Sequence, residues 1–212
     1  MNGLIILAGG GNAAQSAIID DYFRQQFELR GFSKCLYVPL ALPVDRYEQA
    51  TEWFMGLYNY MEHITTLRGP AEANDVLTHN FDVIYLGGGD TGKLLMELRT
   101  LRLDTFIIDQ VAMGAIVYGG SAGAIVLGRT IETAPMDEYA ANGKNDGLDL
   151  LGGYSVVPHF KGSFSQRQRT TARDHKSDLL GIGESTGVVM QDGIILEVLN
   201  PDGLKRLVVD ED

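Results

Sequence analysis

Gly119-Gly120-Ser121-Ala122-Gly123 follows directly on the apolar run Gly114-Ala115-Ile116-Val117-Tyr118. A buried strand that ends on Gly-x-Ser-x-Gly and turns at once into an alanine-rich helix start has the form of a nucleophile elbow. The turn forces the serine into a cramped backbone conformation, and any side chain two positions before or after it would collide across the turn. The hydroxyl then stands at a helix N-terminus, where backbone N–H groups and the helix dipole favour developing negative charge. That is chemistry for attacking a carbonyl. Glycines between a strand and a helix also serve close packing or phosphate binding, so Ser121 needs partners before it reads as a nucleophile.

A serine needs a base, and the chain has four histidines. His63 and His79 precede expected strands, which puts them at the sheet edge opposite Ser121. His175 lies among Arg173, Asp174 and Lys176 on a polar helix and reads as solvated. His159 directly follows the strand-like run Tyr154-Ser155-Val156-Val157-Pro158, at the edge where the elbow belongs. A neutral imidazole there is suited to proton transfer near pH 7. The third member should be a carboxylate that orients the imidazole and stabilises its protonated form. Glu184, in Gly181-Ile182-Gly183-Glu184, sits among glycines beside an apolar strand and is the first choice; Asp137 and Glu138 are rivals from a polar segment. An oxyanion hole needs two N–H donors. The N–H of Ala122 supplies one, and Gly88, in the turn Gly87-Gly88-Gly89-Asp90-Thr91, is the expected second. That turn lacks the Lys-Ser/Thr ending of a P-loop and the spacing of a dinucleotide site, which leaves nucleotide binding near Lys93 as a minor alternative.

The elements that must position these groups alternate between strand and helix. Leu4–Ala8 reads as a strand, Ala13–Leu29 as a helix and Lys34–Pro39 as a strand. A helix then presents Trp53, Phe54, Leu57 and Met61, followed by a strand at Ile64–Leu67 and a short helix at Ala71–Thr78. Asp82–Leu86 is a strand ending at the glycine turn, and helices at Thr91–Arg99 and Leu103–Met113 lead to the elbow strand. Continuously apolar strands alternating with helices imply parallel strands covered on both faces. The expected fold is a doubly wound, three-layer α/β/α sandwich with a mostly parallel central sheet, in which ligands bind beyond the carboxyl ends of the strands. Residues 129–149 read as a polar loop over the site, Gln166–Leu180 as a charged helix, and Gly187–Val198 as a hairpin around Asp192-Gly193. The whole chain, 1–212, reads as one domain.

Composition narrows the function classes. The 212 residues are 45% hydrophobic, enough for one substantial core, and carry a net charge of −11. That charge argues against a nucleic-acid partner, which requires a basic stripe. The single cysteine, Cys35, excludes an internal disulfide and a thiolate-rich metal site, and reads as a small core residue. No apolar run approaches the roughly 18 residues of a membrane span, and the N-terminus lacks a basic region and a long apolar stretch. The expectation is a soluble cytoplasmic protein without a membrane partner, with a homodimer as its expected assembly.

Taken together, Gly87-Gly88-Gly89-Asp90-Thr91, Gly119-Gly120-Ser121-Ala122-Gly123-Ala124, Val157-Pro158-His159-Phe160 and Gly181-Ile182-Gly183-Glu184 resemble, in that order, the signature blocks of the peptidase E (aspartyl dipeptidase) family of serine peptidases. That family includes cyanophycinases and is related in fold to class I glutamine amidotransferases. The resemblance implies a Ser121-His159-Glu184 triad, an oxyanion hole at Gly88 and Ala122, a short-peptide substrate, and no metal or cofactor. Chain order fits it: in α/β-hydrolases the acid falls between serine and histidine, whereas Glu184 follows His159. Candidate substrate-binding residues are Asp90, Thr91, Phe160 and Arg167. Aspartyl dipeptidases carry an arginine shortly after the histidine that pairs with the substrate's acidic side chain. Here Phe164 or a neighbour stands at that place, and Lys161, Arg167 and Arg169 are the nearby cations. An amidase acting on a non-peptide amide and a non-catalytic ligand-binding module of the same fold are the alternatives.

Overall fold

The computed structural model describes residues 3–140 and 143–209. Strand β1 (Leu4–Ala8) is buried along its whole length, and its side chains alternate between two cores. Leu4, Ile6 and Ala8 face one side, where α1 (Ala13–Leu29) lays down Ile19, Phe23 and Phe27. These three sit four residues apart, the spacing that lines up one helix face. Asn12 starts α1 by accepting from the N–H groups of Ala14 and Gln15 through its side-chain oxygen, while the Asn12 N–H donates to the Gln15 side-chain oxygen. This reciprocal pairing is a capping box. Ile5 and Leu7 face the opposite side, with helices α3 (Pro70–Val76), α4 (Thr91–Thr100), α5 (Leu103–Met113) and α6 (Ala122–Leu127).

The remaining strands of this sheet are β2 (Lys34–Val38), β3 (His63–Thr66), β4 (Val83–Leu86) and β5 (Ile116–Gly120), with β8 (Gly187–Gln191) and β9 (Ile194–Leu199) beyond them. The spatial order is β3-β2-β4-β5-β1-β8-β9. From β3 to β1 every pairing is parallel, and β8 and β9 add an antiparallel flank beside β1. Helix α2 (Tyr47–Leu57) covers the α1 face with Phe54. The result is the expected three-layer sandwich, with the ends of β1, β4 and β5 delivering three glycine turns to one edge. Cys35 is fully buried in the α1-side core, and burial pushes its thiol well above the ordinary range.

Two elements differ from expectation. The expected helix Gln166–Leu180 is two elements: α7 ends at Asp174, and Asp178–Ile182 forms strand β7. The chain breaks at Lys176, with φ +48, and Leu179, Leu180 and Ile182 are buried in a second sheet of order β10-β7-β6. Here β6 (Tyr154–Val157) runs parallel to β7, and β10 (Leu204–Leu207) antiparallel. Long-range pairing overrides the local charged pattern. On α2, Trp53 is half exposed, and Met61 reaches the core from beyond the helix end.

The segment 129–149 is anchored rather than free, although Ala141 and Asn142 lie outside the described residues. Its returning arm donates from Gly147, Leu148, Asp149 and Leu150 N–H groups to carbonyls at Arg129, Val126, Gly128 and Leu127. Ile131 and Ala134 are buried. Among the described residues no helix is long and apolar enough to cross a membrane.

Candidate active site

The site is built where β1, β4 and β5 each end in glycines. Ser121 has φ 51 and ψ −109, a conformation that costs a residue with a side chain on the order of 1–3 kcal/mol. The elbow has no room for substitution around it: a Cβ on Gly119 would lie 2.7 Å from the Gly123 carbonyl oxygen, and one on Gly123 would lie 2.3 Å from that of Leu86. The Ser121 N–H donates to the Ala8 carbonyl at 3.1 Å, tying the elbow to the end of β1.

The second sheet delivers the partners. Because β6 and β7 are parallel, the residues that follow them, His159 and Glu184, emerge at the same end. His159 is held with φ 51, its N–H on the Gly9 carbonyl at 2.8 Å. Its Nε2 lies 2.9 Å from Ser121 Oγ, and its Nδ1 lies 3.1 Å from Glu184 Oε1. A carboxylate only accepts, so this contact assigns the proton to Nδ1 and leaves the Nε2 lone pair facing the serine hydroxyl. Hydrogen bonds from His159 and then Gln15 hold the Glu184 carboxyl below the usual carboxylate range. Gln15 Nε2 donates to Glu184 Oε2 at 2.7 Å.

Gly88 lies beside the serine: a Cβ there would stand 3.3 Å from Ser121 Cβ. Ala122 is the first residue of α6, and the first N–H groups of a helix have no partner within it. A cleft of about 500 Å³ opens in front of Ser121 and His159, with Thr91, Glu138, Arg167 and Gln168 among its walls. Glu138 Oε2 accepts from the Thr91 N–H at 3.2 Å and hydroxyl at 2.8 Å, and Asp137 is exposed.

Of the substrate-binding candidates, Thr91 and Arg167 line the cleft. Arg167 donates to the carbonyls of Glu132 and Thr133 and to the Tyr139 hydroxyl, bracing the cleft wall formed by residues 133–138. Asp90 and Phe160 are not brought to the cleft. Asp90 caps α4 through the Lys93 N–H, and the Phe160 ring packs on Gly181 and Phe164. The Lys93 ammonium is held by the Leu42 carbonyl and the Tyr47 hydroxyl, away from any phosphate-binding role. His175, expected to be solvated, is instead only about a quarter exposed and lies 3.2 Å from Glu132. Among the described residues no group of three His, Cys, Asp or Glu side chains is arranged to hold a metal ion.

Two residues of the site carried no functional signal in the sequence. Gly10 has φ +95, and a Cβ there would lie 2.2 Å from His159 Cε1, so its bare backbone is the floor under the imidazole. Gln15 is legible from sequence only as part of a helix cap; its contact with Glu184 crosses 169 positions.

The sequence model of peptidase family S51 matches residues 4–198. An uncharacterised peptidase of Listeria monocytogenes, Lmo0363, is 36% identical over 83 residues, covering 37% of this chain and 40% of that protein. Peptidase E of Salmonella arizonae is 28% identical over 182 residues, 82% of this chain and 76% of its own length. Peptidase E of Salmonella typhi is 33% identical over 122 residues, covering 56% of this chain and 52% of that one, so several alignments span only about half of the relative. The crystal structure of a peptidase from an acI-B1 actinobacterium superposes over 100% of this chain and 96% of its own, with a TM-score of 0.70 at 20% identity. A candidate peptidase E protein from Listeria monocytogenes superposes over 97% of this chain and 98% of its own, with a TM-score of 0.66 at 23% identity. At those identities the superpositions speak for the fold alone.

Proposed function

The chain belongs to peptidase family S51, and we propose that it is a serine peptidase that hydrolyses short peptides through an acyl-enzyme on Ser121. The observation that carries this reading is the unbroken line of hydrogen bonds from Ser121 Oγ through the His159 ring to Glu184. The Ser121 hydroxyl attacks the scissile carbonyl as His159 Nε2 takes its proton. Glu184, kept ionised by its hydrogen bonds, stabilises the imidazolium that forms. The tetrahedral oxyanion lies against the N–H groups of Gly88 and Ala122, where the absence of a side chain on Gly88 leaves room for it. Collapse expels the amine, which receives the proton from Nε2. Water, deprotonated by the same nitrogen, then cleaves the ester and restores the serine.

Restriction to short peptides rests on the cleft, whose volume of about 500 Å³ suits a few residues, and on its wall at 133–138, which Arg167 braces. The Salmonella relatives named peptidase E support the same class. A dipeptide library incubated with wild type and with Ser121→Ala tests the reading by mass spectrometry of the products. Cleavage by the wild type alone is expected; equal cleavage by both would remove Ser121 from the mechanism.

A further inference from the structure

We propose that Gln15 is a positioning residue that locks the Glu184 carboxylate onto His159, an inference that rests on the Ser121-His159-Glu184 reading above. Glu184 lies on a bend between β7 and β8, with about a third of its side chain exposed. A glutamate so placed has rotamer freedom to lose and water competing for both oxygens. Each oxygen nonetheless has one protein partner: Oε1 faces His159 Nδ1 at 3.1 Å, and Oε2 receives Gln15 Nε2 at 2.7 Å. The second contact is the shorter of the two.

Gln15 is itself fixed. Its Oε1 accepts from the Asn12 N–H at 3.0 Å, which settles the orientation of the amide and turns the NH₂ toward the carboxylate. Asn12 in turn caps α1, and α1 is clamped to the sheet by Ile19, Phe23 and Phe27. Between them, Gly11 leaves space: at φ +102, a Cβ there would press on Gln15 Oε1 at 3.0 Å and on Glu184 Cβ at 3.1 Å. The helix cap therefore reaches Ser121 through three side chains, Gln15, Glu184 and His159. An amide suits the task, because it donates without titrating and so cannot take the proton or add a charge of its own. Gln15 does not line the cleft, so its effect belongs in the rate of the chemical step and not in binding.

The test uses a fluorophosphonate as probe, with adduct formation on Ser121 followed by intact mass. Wild type and His159→Ala come first: labelling of the former and not the latter sustains the parent reading, and its absence sinks both claims. Given that labelling, Gln15→Leu is expected to lower the inactivation rate at saturating reagent about tenfold, the size expected from losing a hydrogen bond to a charged group. The half-saturating concentration should stay unchanged. Asp82→Ala is the control, since it removes the hydrogen bonds that the Ser33 and Lys34 N–H groups make to the Asp82 carboxylate, outside the chain of contacts from Gln15 to Ser121. It should lower Tm but keep the rate within about twofold, well short of the loss assigned to the hydrogen bond. Gln15→Glu sets a second carboxylate against Glu184. Its rate relative to wild type should rise as pH falls and a shared proton bridges the two. A Gln15→Leu protein labelled at the wild-type rate, or one whose loss matches that of Asp82→Ala at equal Tm, overturns the proposal while leaving the parent reading intact. Should Gln15→Leu fail to fold, Gln15→Glu decides through its pH ratio: a flat ratio refutes.

Discussion

Gly10→Ala tests whether the backbone after β1 is the floor on which His159 rests. A methyl there would sit 2.2 Å from His159 Cε1, 2.7 Å from Nε2 and 3.0 Å from Nδ1, on a backbone at φ +95. Ordinary carbon–carbon contact is about 3.5 Å, so the ring must retreat by roughly 1 Å. The Ser121–His159 separation is 2.9 Å, and a shift of that size away from the serine takes it beyond hydrogen-bond range. A misplacement of about 1 Å costs on the order of 100-fold in rate, and the positive φ adds about 1–2 kcal/mol of destabilisation. Gly31→Ala provides the matched control. It shares a positive φ, +64, but a Cβ there meets nothing within 4 Å. Tm and the rate of Ser121 labelling by a fluorophosphonate are measured on both. Gly10→Ala should lose stability and nearly all reactivity, Gly31→Ala stability alone. If Gly10→Ala labels at the wild-type rate, the reasoning about the imidazole's support is refuted.

Ser121→Gly should be inactive toward the same reagent yet more stable than wild type by about 1 kcal/mol in urea unfolding, because glycine relieves the elbow strain while adding freedom to the unfolded chain. Asp20 accepts from the hydroxyls of Tyr58, Tyr118 and Ser16, so Asp20→Ala should cost about 2–3 kcal/mol by stranding buried hydroxyls. Burial raises the Asp20 carboxyl, so the folded state holds this proton more tightly than the unfolded chain. Its contribution to stability falls as pH rises from the ordinary aspartate range through the raised value. Asp20→Asn should therefore gain on wild type as pH rises above the ordinary aspartate range and through the raised value, and a constant difference would contradict that. For Glu132, burial opposes the charge, but hydrogen bonds from Asn145 and His175 outweigh it and hold the carboxyl below its usual range. That stabilisation is complete above the ordinary glutamate range and lost as pH falls through the lowered value. Glu132→Gln should accordingly unfold over a shallower acid slope than wild type.

The sequence made legible whatever was local and periodic. Helix α1 was bounded by an Asn cap and carried Ile19, Phe23 and Phe27 on one face; the β8–β9 hairpin turned on Asp192-Gly193, both with positive φ. The second sheet was not legible. Strand β7 follows a run, 166–177, that is charged or polar except at Ala172, and its partners, β6 and β10, lie in separate stretches of chain, so no local pattern announced the pairing. The same holds within the site. Ser121 and His159 could be chosen because each follows a legible strand, and Glu184 because it sits among glycines beside an apolar strand. Gly10 and Gln15 could not, since their roles consist of contacts across the fold. Asp90 and Phe160 were named as flanking residues; the one caps α4 and the other packs on Phe164, contacts that no local pattern announced.

Intact-mass spectrometry after fluorophosphonate treatment, comparing wild type with Ser121→Ala and His159→Ala, shows whether Ser121 is a nucleophile activated by His159. A single stoichiometric adduct on Ser121 is expected in the wild type and none in either variant. An unmodified wild type, or an adduct that persists in Ser121→Ala, would contradict it.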